Sequence, residues 1–337
     1  MIHRPSLNRR RFVSGAGALL ALPALAVGRA GRVLAQQPGA PAAGPVANPY
    51  RELGAIAAEA ERLGLSVPRI SAGVQGGTDF DQVMPGIVDF IDNIEASART
   101  STATPAEVES LLDRTSELLQ RLHRAERSRA DRDPTSELAG TSGRPTFDSV
   151  RQSYVQLFNS CTVRDQYASQ VGWHVGKLTE ASNRAQYDKV AVEVCAPWYF
   201  IGIIHAMEAS FDFRAHLHNG DTLKAKTVQV PKGRPLVWNP PTDWVSSAND
   251  AIRFDGFADQ PDWSLARVLY NWEGYNGWRS RTLHNINTPY LWSYSNHYSR
   301  GKYVADGVWD GSAVSKQCGA AVMLKALVDR GVIGQPA

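Results

Sequence analysis

The sequence predicts a mainly α-helical protein that carries one small β-hairpin. Three observations predict it: a helix-period apolar stripe that starts at a capping box over 104–107, a run over 198–210 that is apolar nearly all round, and a short polar–apolar alternation over 226–230. Helices and strands bury different residue spacings, so these patterns separate the two element types.

The first element is an address. Asn8-Arg9-Arg10-Arg11-Phe12-Val13 sets adjacent arginines before an aromatic and an aliphatic residue, and an apolar run from Gly15 to Val27 follows. The segment resembles the twin-arginine export signal. The run is shorter than the roughly 20 residues that cross a bilayer core, so a cleaved signal over 1–35 is expected rather than an anchor. Val33 and Ala35 are the small residues for cleavage, and an Ala-, Pro- and Gly-rich flexible linker occupies 36–49. The resemblance implies the twin-arginine translocase as a partner during export, a periplasmic or secreted mature protein, and no stable membrane span in the mature form.

A chain of 337 residues with 43% hydrophobic residues supports one sizeable domain and an accessory segment. The net charge of +3 comes from 36 basic and 33 acidic residues, and Arg4, Arg9, Arg10 and Arg11 account for the excess. No basic stripe of the kind that tracks a phosphate backbone remains, so no nucleic acid partner is expected. Cys161, Cys195 and Cys318 allow one disulfide, with Cys318 tied to Cys161 or Cys195, or serve as small buried hydrophobes. No CxxC or Cys/His cluster points to a metal, and no cofactor is expected.

A helical accessory region is predicted over 50–133. Thr104 is a good N-cap, Pro105 suits the first helical position, and Glu107 completes the capping box. Val108, Leu111, Leu112, Leu118, Leu119 and Leu122 then share one face, opposite Glu107, Arg114, Glu117 and Arg121. Val83, Ile87, Val88, Phe90 and Ile91 of a preceding helix supply its partner, and a packing or spacer role is expected. A linker over 134–146, with Pro134, Gly140, Gly143 and Pro145, marks the boundary to a domain over 147–333.

All nine tryptophans lie between Trp173 and Trp309. Most are expected in the core, with flat faces for sugar subsites in loops around Trp278 and Trp292. Pro197 opens the buried helix, and Glu208 stands at its end. An acid there opposes the helix dipole and is costly to desolvate, which points to a functional role. Burial disfavours the charged form, so such a carboxyl keeps a proton to deliver to a glycosidic oxygen. Asn219-Gly220-Asp221 is a turn signal, and Lys226-Thr227-Val228-Gln229-Val230 reads as a short strand of a hairpin.

A glutamate ending a buried helix, followed by Asp221 and Thr227 with five residues between them, resembles the lysozyme superfamily, phage-type muramidases in particular. Twelve residues separate Glu208 from Asp221, more than in the phage enzymes. Trp272-Glu273-Gly274-Tyr275-Asn276-Gly277 resembles the Tyr-Asn-Ala-Gly element of goose-type lysozymes and lytic transglycosylases, and Glu208-Ala209-Ser210 resembles their Glu-Ser element. Pro197-Trp198-Tyr199, His216-Leu217-His218-Asn219-Gly220-Asp221, Tyr290-Leu291-Trp292-Ser293 and Ser295-Asn296-His297-Tyr298 resemble a little-described group of bacterial lysozyme-like proteins.

The resemblance implies a lysozyme-like helical domain acting on peptidoglycan glycan strands as a muramidase. Glu208 is then the general acid, Asp221 positions or activates a water, and Thr227 holds that water, which implies inversion with carboxyls roughly 6.5 to 9.5 Å apart. Tyr275, Asn276, Trp278, Trp292 and His218 are the expected substrate-binding residues. A lytic transglycosylase, in which Glu208 acts alone, is the alternative enzyme, a chitinase-like specificity comes third, and a catalytically silent wall-binding module is the non-enzymatic alternative.

His216 and His218 alternate beside Asp221 and are expected to hydrogen-bond it; no third ligand is spaced to complete a zinc site. His205 reads as a core histidine. No Gly-x-Ser-x-Gly elbow supports a serine nucleophile. Asp310 or Ser312 is expected to cap a last helix carrying Val314, Ala321, Val322, Leu324, Leu327 and Val328.

Overall fold

Residues 49–66, 79–126, 143–229, 231–238, 243–305 and 308–337 are described by the structure, a computed structural model. The predicted signal over 1–35, nearly all of the linker over 36–49 and most of the linker over 134–146 lie outside the described residues.

Twelve α-helices and one two-stranded antiparallel sheet make up the described elements. Helices α1 (Pro49–Arg62), α2 (Phe80–Ser97) and α3 (Pro105–Glu126) come first, followed by α4 (Phe147–Asn159), α5 (Ala168–Thr179), α6 (Ala181–Val194) and α7 (Trp198–Ala209). Next are α8 (Trp244–Phe254), α9 (Leu265–Asn276), α10 (Arg279–His284), α11 (Pro289–Trp292), strands β1 (Lys302–Ala305) and β2 (Val308–Asp310), and α12 (Ala320–Asp329).

The capping box forms as predicted: Thr104 N–H donates to Glu107 Oε2 at 2.8 Å, and Glu107 N–H donates to Thr104 Oγ1 at 3.3 Å. The predicted apolar stripes of α2 and α3 are buried and pack on each other. On α3, however, Thr115, Ser116, Gln120 and His123 are buried too, so its covered arc is wider than the leucine stripe. The extra width is taken up by the rest of the chain, because Val46–Ala337 forms one compact unit. Ser116 donates to Asp212 at 2.6 Å, Lys177 lies 2.9 Å from Asp89, and Lys302 lies 2.7 Å from Glu126. The helices over 50–133 therefore belong to the same core as those over 147–333.

Helix α7 is the central element: every residue from Tyr199 to Ala209 is buried. It packs on α6 and α12. The approach to α5 and α6 is close, since a Cβ on Gly202 would stand 2.9 Å from the Leu178 side chain and 3.0 Å from Tyr187. Phe200 stacks on Trp272 with ring centroids 5.5 Å apart, which ties α7 to α9. Among the described residues no single helix is long and apolar enough to cross a membrane.

Three expectations are corrected here. The hairpin expected from the turn at 219–221 and the strand over 226–230 is, over 222–229, a series of turns and bends with one isolated bridge, Ala215 to Thr222, and the sheet of the described residues is formed instead by β1 and β2. The alternation found no partner strand, because the Val228 and Gln229 N–H groups donate to the Asp221 carboxylate. The last helix starts at Ala320 with Gly319 at its N-cap, while Asp310 ends β2 and accepts from Ser312 N–H at 2.7 Å. No disulfide links the three cysteines: Cys161 and Cys318 are buried thiols and Cys195 is exposed.

Candidate functional site

The site is built at the C-terminal end of α7. Glu208 is fully buried, and the Tyr290 hydroxyl of α11 donates to its Oε1 at 3.1 Å. Directly after it the chain turns through Ser210 at φ 51° and Phe211 at φ 62°, two consecutive left-handed residues that are not glycine. Each costs on the order of 1 to 2 kcal/mol, and such strain persists only where the surroundings over-determine the backbone.

Those surroundings come largely from α3. Gln120 Nε2 donates to the Ala209 carbonyl at 3.1 Å and to Asp212 Oδ2 at 3.1 Å, Ser116 donates to the same oxygen, and His123 Nδ1 lies 2.6 Å from Ser210 Oγ. Asp212 Oδ1 accepts from Arg214 N–H at 2.9 Å. Burial pushes the Asp212 carboxyl above its ordinary range, against the lowering effect of these donors. Beside this turn lies a small cleft lined by Asp92 and Glu95 of α2 and by Phe211, Asp212 and Arg214. Ser116, Gln120 and His123 recur at helical spacing next to the leucines of α3, a polar stripe visible in the sequence whose partners were not.

The turn over 219–221 lies on the end of α7. Gly220 has φ 76°, and a Cβ there would stand 3.0 Å from the Glu208 carbonyl oxygen and 2.6 Å from Gln120 Oε1, so only glycine fits. Asp221 directly follows this contact with the Glu208 carbonyl. Its Oδ2 accepts from Val228 N–H and Gln229 N–H, both at 2.8 Å, and from Asn219 Nδ2 at 3.0 Å. Thr227 Oγ1 donates to the Pro231 carbonyl and accepts from Arg234 N–H at 2.9 Å. Both side chains are buried anchors of the loop in this arrangement, with the Thr227 hydroxyl engaged by backbone.

The hydrogen bond expected from His216 or His218 to Asp221 is made by backbone alone, His216 N–H donating to the Asp221 carbonyl at 2.7 Å, while the two imidazoles bond elsewhere. His216 Nε2 donates to the Ala225 carbonyl at 2.8 Å, and its Nδ1 accepts from Ser247 at 2.7 Å. His218 Nε2 lies 2.7 Å from Asp250 Oδ2, and Asp250 is held in turn by Arg234. Burial lowers both imidazoles, His218 to about 4, even though Asp250 pulls the other way. Among the described residues no group of three or more His, Cys, Asp or Glu side chains is placed to hold a metal ion.

The expected substrate-binding residues divide by burial. Trp292 is fully buried and meets His297 edge-on at 5.4 Å, Tyr275 is buried with its hydroxyl donating to the Leu217 carbonyl at 3.2 Å, and His218 is buried on Asp250. These three have no face turned to solvent. Trp278 and Asn276 stay half-buried, with the Trp278 ring 4.8 Å from Tyr270.

Glu273, present in the Trp-Glu-Gly-Tyr-Asn-Gly element without an assigned role, is a second fully buried carboxylate. Arg281 meets it with two hydrogen bonds, of 2.9 and 2.8 Å, and the Tyr154 hydroxyl donates at 2.5 Å. The pairing raises the Arg281 guanidinium, and burial drives the Tyr154 phenol far above its ordinary value. His205, as expected, is a core histidine, with Tyr187 3.1 Å from its Nδ1.

No family model, curated protein or solved structure matches the chain.

Proposed function

We propose that this chain is a lysozyme-like hydrolase of peptidoglycan glycan strands: a muramidase that cleaves the β-1,4 bond between N-acetylmuramic acid and N-acetylglucosamine, with Glu208 as general acid. It acts in the periplasm or outside the cell after export by the twin-arginine translocase. The observation that carries this reading is a fully buried glutamate at the end of a helix buried from Tyr199 onward, followed at once by two strained residues that a remote helix holds in place. A carboxyl shielded from water is suited to protonating a glycosidic oxygen. Trp278 and Asn276 supply the half-exposed surface on which a sugar ring rests.

Two features favour neighbouring readings. Asp221 Oδ2 is engaged by three N–H donors, which favours Glu208 acting without a water-activating partner, as in a lytic transglycosylase that forms an anhydro sugar. Glu208 is closed off from solvent, so substrate reaches it only when the residues around its carboxyl, Tyr290 among them, move aside; a module that never opens is a silent wall-binding domain.

Digestion of purified peptidoglycan by the full chain, beside Glu208→Gln and Asp221→Asn, tests all three. Reducing muramic ends that disappear in both variants are expected. Anhydro ends lost only in Glu208→Gln would replace hydrolysis with transglycosylation. No fragments from the unaltered chain, with sedimentation onto the wall retained, would sink the enzyme reading.

A further inference from the structure

We propose that the two limbs over 222–229 and 231–238 form a docking finger for an anionic lipid surface. From Thr222 to Trp238 the chain has no aspartate or glutamate, while it carries Lys224, Lys226, Lys232 and Arg234. On the same loop Val228, Leu236 and Val237 are 64%, 70% and 80% exposed. A contiguous exposed apolar patch rimmed by polar residues marks an interaction site, unlike apolar residues scattered singly.

The finger is preformed. Its two limbs are joined by Thr227 N–H to the Arg234 carbonyl at 2.8 Å and Gly233 N–H to the Thr227 carbonyl at 2.7 Å. Asp221 fixes the backbone at Val228 and Gln229 from below, and Trp238 Nε1 donates to the Leu223 carbonyl at 2.7 Å to close the base. The aliphatic residues are thereby presented to solvent on a braced loop, and the Lys226 ammonium, bonded to the Leu236 carbonyl, sits beside one of them.

Charge selects the occupant. Glu109 and Asp113 of α3 engage Lys224, and Asp250 engages Arg234. Lys226 and Lys232 are exposed and enter no salt bridge among the described residues, so they give the loop its outward charge. Exposed aliphatics between lysines match a bilayer surface, where phosphates meet the ammonium groups and the acyl boundary takes the side chains. The carboxylates of a cell-wall polymer would meet the ammonium groups but offer no acyl boundary to the aliphatic side chains. The assignment stands whether or not the chain cuts peptidoglycan.

Co-sedimentation of the full chain with phosphatidylglycerol–phosphatidylcholine vesicles tests it, with pure phosphatidylcholine vesicles as control. The paired variants Leu236→Asp with Val237→Asp, and Lys226→Glu with Lys232→Glu, keep the leader segment in every arm, and helical circular dichroism checks that each is folded. Binding to the anionic vesicles is expected to fall about tenfold or more in either pair, and to weaken with salt. Absence of binding by the unaltered chain, equal binding to both vesicle types, or variants that bind like the unaltered chain would each overturn the proposal, the second pointing to a purely apolar contact and the third to the leader as the anchor.

Discussion

Helices α7 and α9 each carry, in their last turns, a glutamate that solvent does not reach, and the chain finishes the two by different means. Glu273 of α9 faces a two-bonded Arg281 and the Tyr154 hydroxyl, and the helix stops at Gly277, whose φ of 111° suits a residue without a Cβ. Glu208 of α7 meets the Tyr290 hydroxyl, and that helix stops through Ser210 and Phe211, which carry side chains into the left-handed region. One end is a charge matched locally on a relaxed backbone. The other is a strained turn held by Ser116, Gln120 and His123 from a helix about ninety residues away in sequence. On the proposed function the strained turn is the place of the chemistry, whereas the matched ion pair serves the fold.

The largest effect expected from breaking this contrast is at α9. Arg281→Ala leaves a fully buried carboxylate without its cation and is expected to cost about 3 to 5 kcal/mol, read as a shift in the denaturant midpoint. A loss below about 1 kcal/mol would mean that the Arg281 pairing does not hold the end of α9 together.

Acid should reach α7 through His205, three residues before Glu208 and fully buried. Burial lowers its imidazole from 6.5 to about 3, so the unfolded chain takes up a proton that the folded chain refuses. The stability is fully present above pH 6.5 and is lost as pH falls, by about 2 kcal/mol at pH 5. His174, lowered to about 4, works in the same direction, whereas Asp212, raised by burial, works in the opposite one. The informative quantity is therefore the difference between the unaltered chain and His205→Asn measured at pH 7 and pH 5. Parallel curves would show that His205 is not held neutral.

Gly277→Ala forces a Cβ into a glycine conformation and should cost about 1 to 3 kcal/mol in thermal unfolding. Ser210→Gly should change stability least, by under about 1 kcal/mol, because relief of the left-handed strain offsets the lost contact with His123. If Ser210→Gly proves as damaging as Gly277→Ala, the α7 turn is no more strained than the α9 end, and the contrast between them fails.

Periodicity and local chemistry made part of this legible in advance. The capping box of Thr104 and Glu107, the paired stripes of α2 and α3, the burial of α7 around Glu208 and the glycine turn at Gly220 all depend on residues within about a helix length of one another. The strand expected over 226–230 is not decided by alternation, because a strand needs a partner, and Asp221 takes the Val228 and Gln229 N–H groups that a partner would have bonded.

By itself, the sequence determined the mainly helical class, the central buried helix with its terminal glutamate, and the core histidine His205, since amphipathic spacing and capping act over one or two turns. Tertiary structure alone decided that α3 clamps the turn after Glu208, that His218 pairs with Asp250 rather than Asp221, and that Trp292 and Tyr275 lie in the core while Trp278 keeps a half-open face. These outcomes depend on contacts between residues far apart in the chain. Burial and hydrogen-bond partnership are properties of the assembled core, and no local window of sequence contains them.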